Sequence, residues 1–154
     1  MMPAEVQGQD ETRIEVIDPC HIQRWWPLVR AGLVTIVEKT KPDWIPEDVY
    51  RALRNQTAAL WLGYFGTMYV GFAVVNEQQN PFNGDRTLMV WCTYMRVSGY
   101  LDSFLRKVLS DAQESGFDVV TFQSPRRGWL RRLFSFGFKP RDTIYECRLG
   151  VHHG

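Results

Sequence analysis

Two apolar runs, Ala58 to Phe65 and Met68 to Val75, stand on either side of Gly66-Thr67, and this pairing restricts the fold of the chain more than any other feature. A two-residue connection opened by glycine suits a primed turn, whose backbone twist matches that of antiparallel strands. The segment therefore predicts a β-hairpin. Asn76 to Asp85 is polar, with Pro81 and Asn83-Gly84, and marks a further turn. Thr87 to Tyr94 is then apolar without clean alternation, as expected for a strand covered on both faces.

Helical spacing brackets these strands. Arg13 to Ile17 reads as a first strand. Asp18 is placed to cap a helix with Pro19 at its first position, followed by Ile22, Trp25, Trp26 and Val29, with Gly32 as the expected stop. Trp25 and Trp26 suit either the core or the wall of a substrate site. Val34 to Ile45, with Lys39, Lys41 and Trp44, reads as an irregular link. A second helix is expected from Pro46 through Val49, Ala52, Leu53 and Gln56.

Leu101, Phe104, Leu105, Val108, Leu109 and Ala112 form a strongly amphipathic stretch that ends at Gly116. Asp118 to Phe122 predicts a strand, Gly128 to Phe136 a short arginine-rich helix with a turn at Gly137, and Thr143 to Leu149 a last strand of period-two character. The order β-α-α-β-β-β-α-β-α-β implies an α/β fold, a mixed sheet with helices on both faces.

The chain has 154 residues, which suits one domain, expected here over residues 13–150 behind a polar tail at Met1 to Thr12. With 45% hydrophobic and 14% aromatic residues it can build a packed core. Its net charge of +1 argues against a protein devoted to neutralising a nucleic-acid backbone. The three cysteines, Cys20, Cys92 and Cys147, have no metal-ligand spacing, and Cys92 and Cys147 sit in strand-like runs where a buried thiol is expected. The first residues lack the pattern of a signal peptide and no apolar run is long enough to span a bilayer. These features predict a cytoplasmic protein, or one inside a particle assembled there.

From Ala58 to Leu149 the chain resembles the GNAT acetyltransferase superfamily. Arg96-Val97-Ser98-Gly99-Tyr100-Leu101 matches its Q/R-x-x-G-x-G/A turn, and the run from Arg126 to Phe138 is similar to N-x-x-A-x-x-L-Y-x-K-x-G-F, ending in Gly137-Phe138. The resemblance implies a GNAT-like mixed β-sheet that binds acetyl-CoA, with Met95, Arg96, Val97, Ser98, Gly99, Tyr100, Leu101 and Arg126 as cofactor-binding residues. Glycine at a strand-to-helix turn and the free N–H groups of a helix start suit a diphosphate. Leu101 replaces the small residue of the family and is expected to crowd that phosphate.

The resemblance further implies transfer of an acetyl group to an amine, on a small molecule or a protein. Asp85 is the candidate base and Tyr94 or Tyr145 the candidate acid, because Leu133 stands where the family has a tyrosine and donates no proton. No metal is implied. An alternative is a non-catalytic scaffold resembling GNAT-like proteins of bacteriophages, associating as a homo-oligomer or with phage structural proteins in the virion. A third reading makes the cluster Arg126, Arg127, Arg131, Arg132, Lys139 and Arg141 the surface of a nucleic-acid-binding or protein-binding adaptor.

Overall fold

The computed structural model describes residues 11–123 and 127–150. Arg126 and residues 1–10 of the expected tail lie outside them. Strand β1 (Thr12–Ile17) pairs antiparallel with β2 (Ala59–Phe65), Thr12 facing Phe65. Thr12 thus belongs to the sheet and not to a tail. β2 turns into β3 (Met68–Gln79) across Gly66, whose φ of 63° is the left-handed conformation a primed turn requires. β3 pairs antiparallel with β4 (Arg86–Met95), and β4 pairs in parallel with β5 (Val119–Phe122). The sheet order follows the chain order, β1-β2-β3-β4-β5.

A parallel step needs a crossover, which helix α3 (Leu101–Glu114) supplies. Before the sheet's central hairpin come α1 (Ile22–Thr40) and α2 (Pro46–Arg54), and after β5 a short 3-10 turn leads into α4 (Leu130–Ser135). Asp18 does cap the chain after β1, accepting from the Cys20 N–H at 2.9 Å, although the first turn is 3-10 and not α.

The alternation Leu60, Trp61, Leu62 in β2 divides the core. Leu60 and Leu62 join Phe72, Val29, Leu33, Val49 and Leu53 under α1 and α2. Trp61 joins Ala73, Val75, Val90, Phe104, Val108 and Ala112 under α3. Helices therefore cover both faces of a mixed sheet, as the element order predicts. Among the described residues no helix is long and apolar enough to cross a membrane.

Two expectations about α1 are corrected. The helix continues through Gly32 to Thr40 and ends at Lys41, which takes a left-handed φ of 49°. Gly32 serves close approach: a Cβ there would come within 2.7 Å of Phe72 and Tyr94. Most of the expected irregular link at residues 34–45 is consequently helical.

The expected last strand is absent. Residues 138–148 have no turn, bend or strand pairing, and Ile144, Tyr145 and Leu149 are 84%, 89% and 85% exposed. Period-two character gives a segment the side chains of a strand but leaves open which edge it joins. Cys147 is exposed with it, against expectation, whereas Cys92 is buried and its thiol is pushed up to about 12 by that burial.

Candidate functional site

The site begins with an irregularity in β4. Val75 faces Val90 and Val74 faces Cys92, so Trp91 is an extra residue on the β4 side, a bulge. Its ring meets the edge of Trp44 at 5.7 Å. The pairing of β4 with β5 also stops there, at Val90 and Phe122. Beyond it β4 follows β3, with Cys92, Tyr94 and Met95 facing Val74, Phe72 and Gly71. The end of β5 is held elsewhere: Phe122 packs against Trp129 and Phe138, with centroids 6.5 and 5.3 Å away. The β4–β5 pairing therefore ends at the bulge, and β4 runs on past it.

The Arg96–Leu101 loop closes this end of the sheet. Arg96 and Val97 both donate their backbone N–H to the Val70 carbonyl, at 2.7 and 3.3 Å. They anchor the loop and offer no free backbone donor. Over residues 98–103 no backbone N–H donates a hydrogen bond within the described residues. This row of donors runs into the first turn of α3, where the helix dipole favours an anion. Gly99 has a φ of 92°, and no atom stands within 4 Å of where a Cβ would be.

Side chains complete the surroundings. The Tyr100 ring lies 5.0 Å from that of Phe65. The Arg96 guanidinium lies 6.0 Å from the centre of the Tyr69 ring and makes no ion pair within the described residues. Leu101 does not crowd the space above Gly99 as expected: it is 6% exposed and packs with Leu105 and Leu133 between α3 and α4. Leucine at this position satisfies the core while its N–H remains in the donor row.

The candidate acid and base residues are not brought together. Asp85 sits at the far end of β4, with its N–H donating to Asn83 Oδ1 at 2.9 Å and its carbonyl accepting from Asn80. The strand between Asp85 and Arg96 spans about 30 Å at ~3.3 Å per residue. Tyr145 lies on the exposed C-terminal segment. Tyr94 does reach the site, its ring 5.7 Å from Phe72 on the α1 side of β4. Leu133 is buried at 3% exposure, and Arg126 lies outside the described residues. Arg131, Arg132, Lys139 and Arg141 are exposed, with Arg132 3.7 Å from Asp102. Among the described residues no group of His, Cys, Asp and Glu is arranged to hold a metal.

Sequence reasoning missed Tyr69. Its hydroxyl is buried without a hydrogen-bond partner within the described residues. Burial, with Tyr94 nearby, pushes the phenol well above its ordinary value although Arg96 opposes the shift. The signal was present in the hairpin, since a two-residue turn sets Tyr64 opposite Tyr69. Trp91 had no such signal, because a bulge leaves no pattern in side-chain identity. In a spectrophotometric titration, Tyr69 is expected to ionise last, well above the ordinary range of a phenol and after Tyr64, which burial shifts less, and Tyr69→Phe to remove that late step. A raised folded value means that the native state keeps a proton the unfolded chain releases. Stability from this group is present below pH ~10 and declines as pH rises toward the folded value; a titration unchanged by Tyr69→Phe would contradict the burial of this hydroxyl.

Neither a family model nor a curated protein sequence matches the chain. Solved structures do. A ribosomal-protein-alanine N-acetyltransferase from Brucella melitensis biovar Abortus 2308 is 18% identical with a TM-score of 0.63, covering 90% of this chain and 99% of its own. A predicted acetyltransferase with acetyl-CoA from Clostridium acetobutylicum is 17% identical at 0.64, covering 93% and 99%. An aminoglycoside acetyltransferase from an uncultured soil metagenomic sample, in complex with sisomicin, is 13% identical at 0.63, covering 93% and 98%. At these identities the likeness establishes the fold, that of GNAT acetyltransferases. It lends no support to the resemblance to phage proteins.

Proposed function

We propose that this chain is an acyl-CoA-dependent N-acyltransferase that transfers an acetyl group to an amine. One observation carries the reading: the free N–H row of residues 98–103 lies at the end of the sheet where β4 runs on past its last pair with β5. The residues fit acetyl-CoA. The N–H groups of Ser98, Gly99, Tyr100 and Leu101 would hold the diphosphate, Gly99 would let the backbone approach it, and Arg96 would add charge through its guanidinium. Met95 leads into this loop. When bound, acetyl-CoA supplies an acyl carbon activated as a thioester, which an amine nitrogen attacks with loss of the thiolate.

The chain's own groups would serve that transfer in distinct ways. Those backbone N–H groups of residues 91–95 that point away from β3, beyond the last β4–β5 pair, would suit polarisation of a carbonyl oxygen. Tyr94, on the α1 side of β4, is the phenol that would protonate the leaving thiolate, and Tyr69, kept protonated by burial, stands next to it. Asp85 is too distant to act as base, so the ammonium proton would leave through water. The amine would approach from the side of Trp25, Trp26 and Trp44, which pack half-buried against the α1 and α2 face. The acceptor is a small molecule or a protein bearing such an amine.

Calorimetry with acetyl-CoA is the direct test. Micromolar affinity is expected, about −8 kcal/mol, and desulfo-CoA should bind similarly because the donors meet the diphosphate and not the sulfur. No heat and no thermal shift at millimolar ligand would overturn the reading. A second reading, binding without transfer, is favoured by the burial of Leu133 where an acid would stand. Release of free thiol with a panel of amines separates the two.

A further inference from the structure

The six tryptophans divide by what they touch. Trp61 is buried under α3, Trp129 meets Phe122, and Trp26 joins α1 to α2 through Tyr50, ring centroids 4.8 Å apart. Trp25 packs on the α1 and α2 face. Trp44 and Trp91 remain as a pair, half-buried, with their rings inclined at 70° to one another. Two indoles at such an angle form a corner that suits a third flat ring.

The strands place that corner. The bulge sets Trp91 on the α1 and α2 face beside Cys92, just past the last β4–β5 pair at Val90 and Phe122. Trp44 is held from the other side, next to the cap of α2, where the Ile45 N–H donates to Asp48 Oδ2 at 2.9 Å. On β3, Val74 belongs to this face and Val75 to the opposite one, so alternation returns Asn76 to the face of Trp91. Asn76 stands opposite Met89, a short step along β4 from Trp91. Its Oδ1 is buried and has no hydrogen-bond partner within the described residues. A buried carbonyl oxygen without a donor costs stability that a leucine of similar size would not. The oxygen is therefore explained by a donor that arrives with a ligand.

Charge narrows the class of that ligand. A polyamine needs several carboxylates to receive its ammonium groups. Among the described residues no carboxylate is buried, and the two in the first turn of α2 are engaged, Asp48 with the Ile45 N–H and Glu47 with Arg30 at 3.2 Å. We propose that the acceptor is a primary amine joined by a short chain to an aromatic ring that bears an N–H or O–H. The ring lies in the corner of Trp44 and Trp91, its donor meets Asn76 Oδ1, and the amine projects along β4 toward Cys92 to Met95. The fate of that amine rests on the acetyl-transfer reading; its recognition does not.

Calorimetry on the full chain, with millimolar CoA present, compares tryptamine, 1-methyltryptamine and spermidine. Tryptamine is expected to bind about tenfold more tightly than either of the others, since the methylated ring has lost its donor and spermidine has no ring. Asn76→Leu should keep a thermal midpoint at or above that of the parent and bind tryptamine and 1-methyltryptamine alike. Trp44→Ala should weaken both. Circular dichroism reports whether each variant folds, and the comparison of amines on the parent chain needs neither of them. No tryptamine binding at millimolar concentration, equal affinity of the parent for tryptamine and its methylated form, tighter binding of spermidine, or discrimination that persists in a folded Asn76→Leu would each overturn the assignment. A chain that takes no acetyl-CoA overturns acetyl transfer instead, because the preference among amines is read without turnover.

Discussion

Gly71→Ala is expected to destabilise the protein by about 3 kcal/mol or more, lowering the thermal midpoint by roughly 10 °C for a domain of this size. Gly71 faces Met95 across the β3–β4 pair. A Cβ there would press on the Tyr94 carbonyl oxygen, closer than real Cβ contacts come, and on Met95 Cα at 3.1 Å. These are backbone atoms, which have no rotamer to escape into. Gly32→Ala is the informative contrast, because its Cβ would meet side chains, the rings of Phe72 and Tyr94 at 2.7 Å. Rings in a packed core yield partly, so about 1–3 kcal/mol is expected. Gly84→Ala has open space around it and pays only for a φ of 80°, about 1–2 kcal/mol. Urea midpoints should therefore fall in the order Gly71, Gly32, Gly84, largest loss first. Equal losses for Gly71→Ala and Gly84→Ala would mean that β3 and β4 do not approach as described. Because Tyr94 and Met95 lead directly into the Arg96 loop, acetyl-CoA affinity should be lost together with stability in Gly71→Ala.

The layered fold was legible wherever side-chain periodicity has a local cause. The hairpin followed from Gly66 between two apolar runs, and α3 followed from the spacing of Phe104, Leu105, Val108 and Ala112, all buried in the structure. What failed depended on contacts distant in sequence. Gly32 has the appearance of a helix stop until Phe72 and Tyr94 are known to lie against it. Residues 143–149 carry strand alternation, but an edge strand needs a free edge within reach, which local pattern does not encode. In the site, Gly99 and the start of α3 were legible because a left-handed glycine and a helix start are both local features. Asp85 lies where counting along the chain puts it, just before β4, but its distance from the Arg96 loop depends on the length of the strand between them. Tyr69 was overlooked because its importance comes from an unpaired buried hydroxyl, a property of its surroundings.

Gly99→Ala and Leu101→Ala are expected to separate binding from stability in opposite directions. At Gly99 the added methyl meets no atom, so the protein loses only the price of a φ of 92° on a residue with a side chain, about 1–2 kcal/mol. That methyl would stand beside the N–H row, in the space the diphosphate needs. Acetyl-CoA affinity should fall more than tenfold, about 1.4 kcal/mol or more. At Leu101 the balance reverses. Its side chain is buried with Leu105 and Leu133, so truncation leaves a cavity between α3 and α4 and costs about 2–5 kcal/mol. Its backbone N–H is retained, and affinity measured at a temperature where the variant stays folded should change less than threefold. Calorimetry and urea denaturation on the same two preparations decide the matter. If Leu101→Ala binds acetyl-CoA much more tightly than the parent at equal folded fraction, the leucine obstructs the site after all, and if Gly99→Ala binds as the parent does, the diphosphate is not held at this loop.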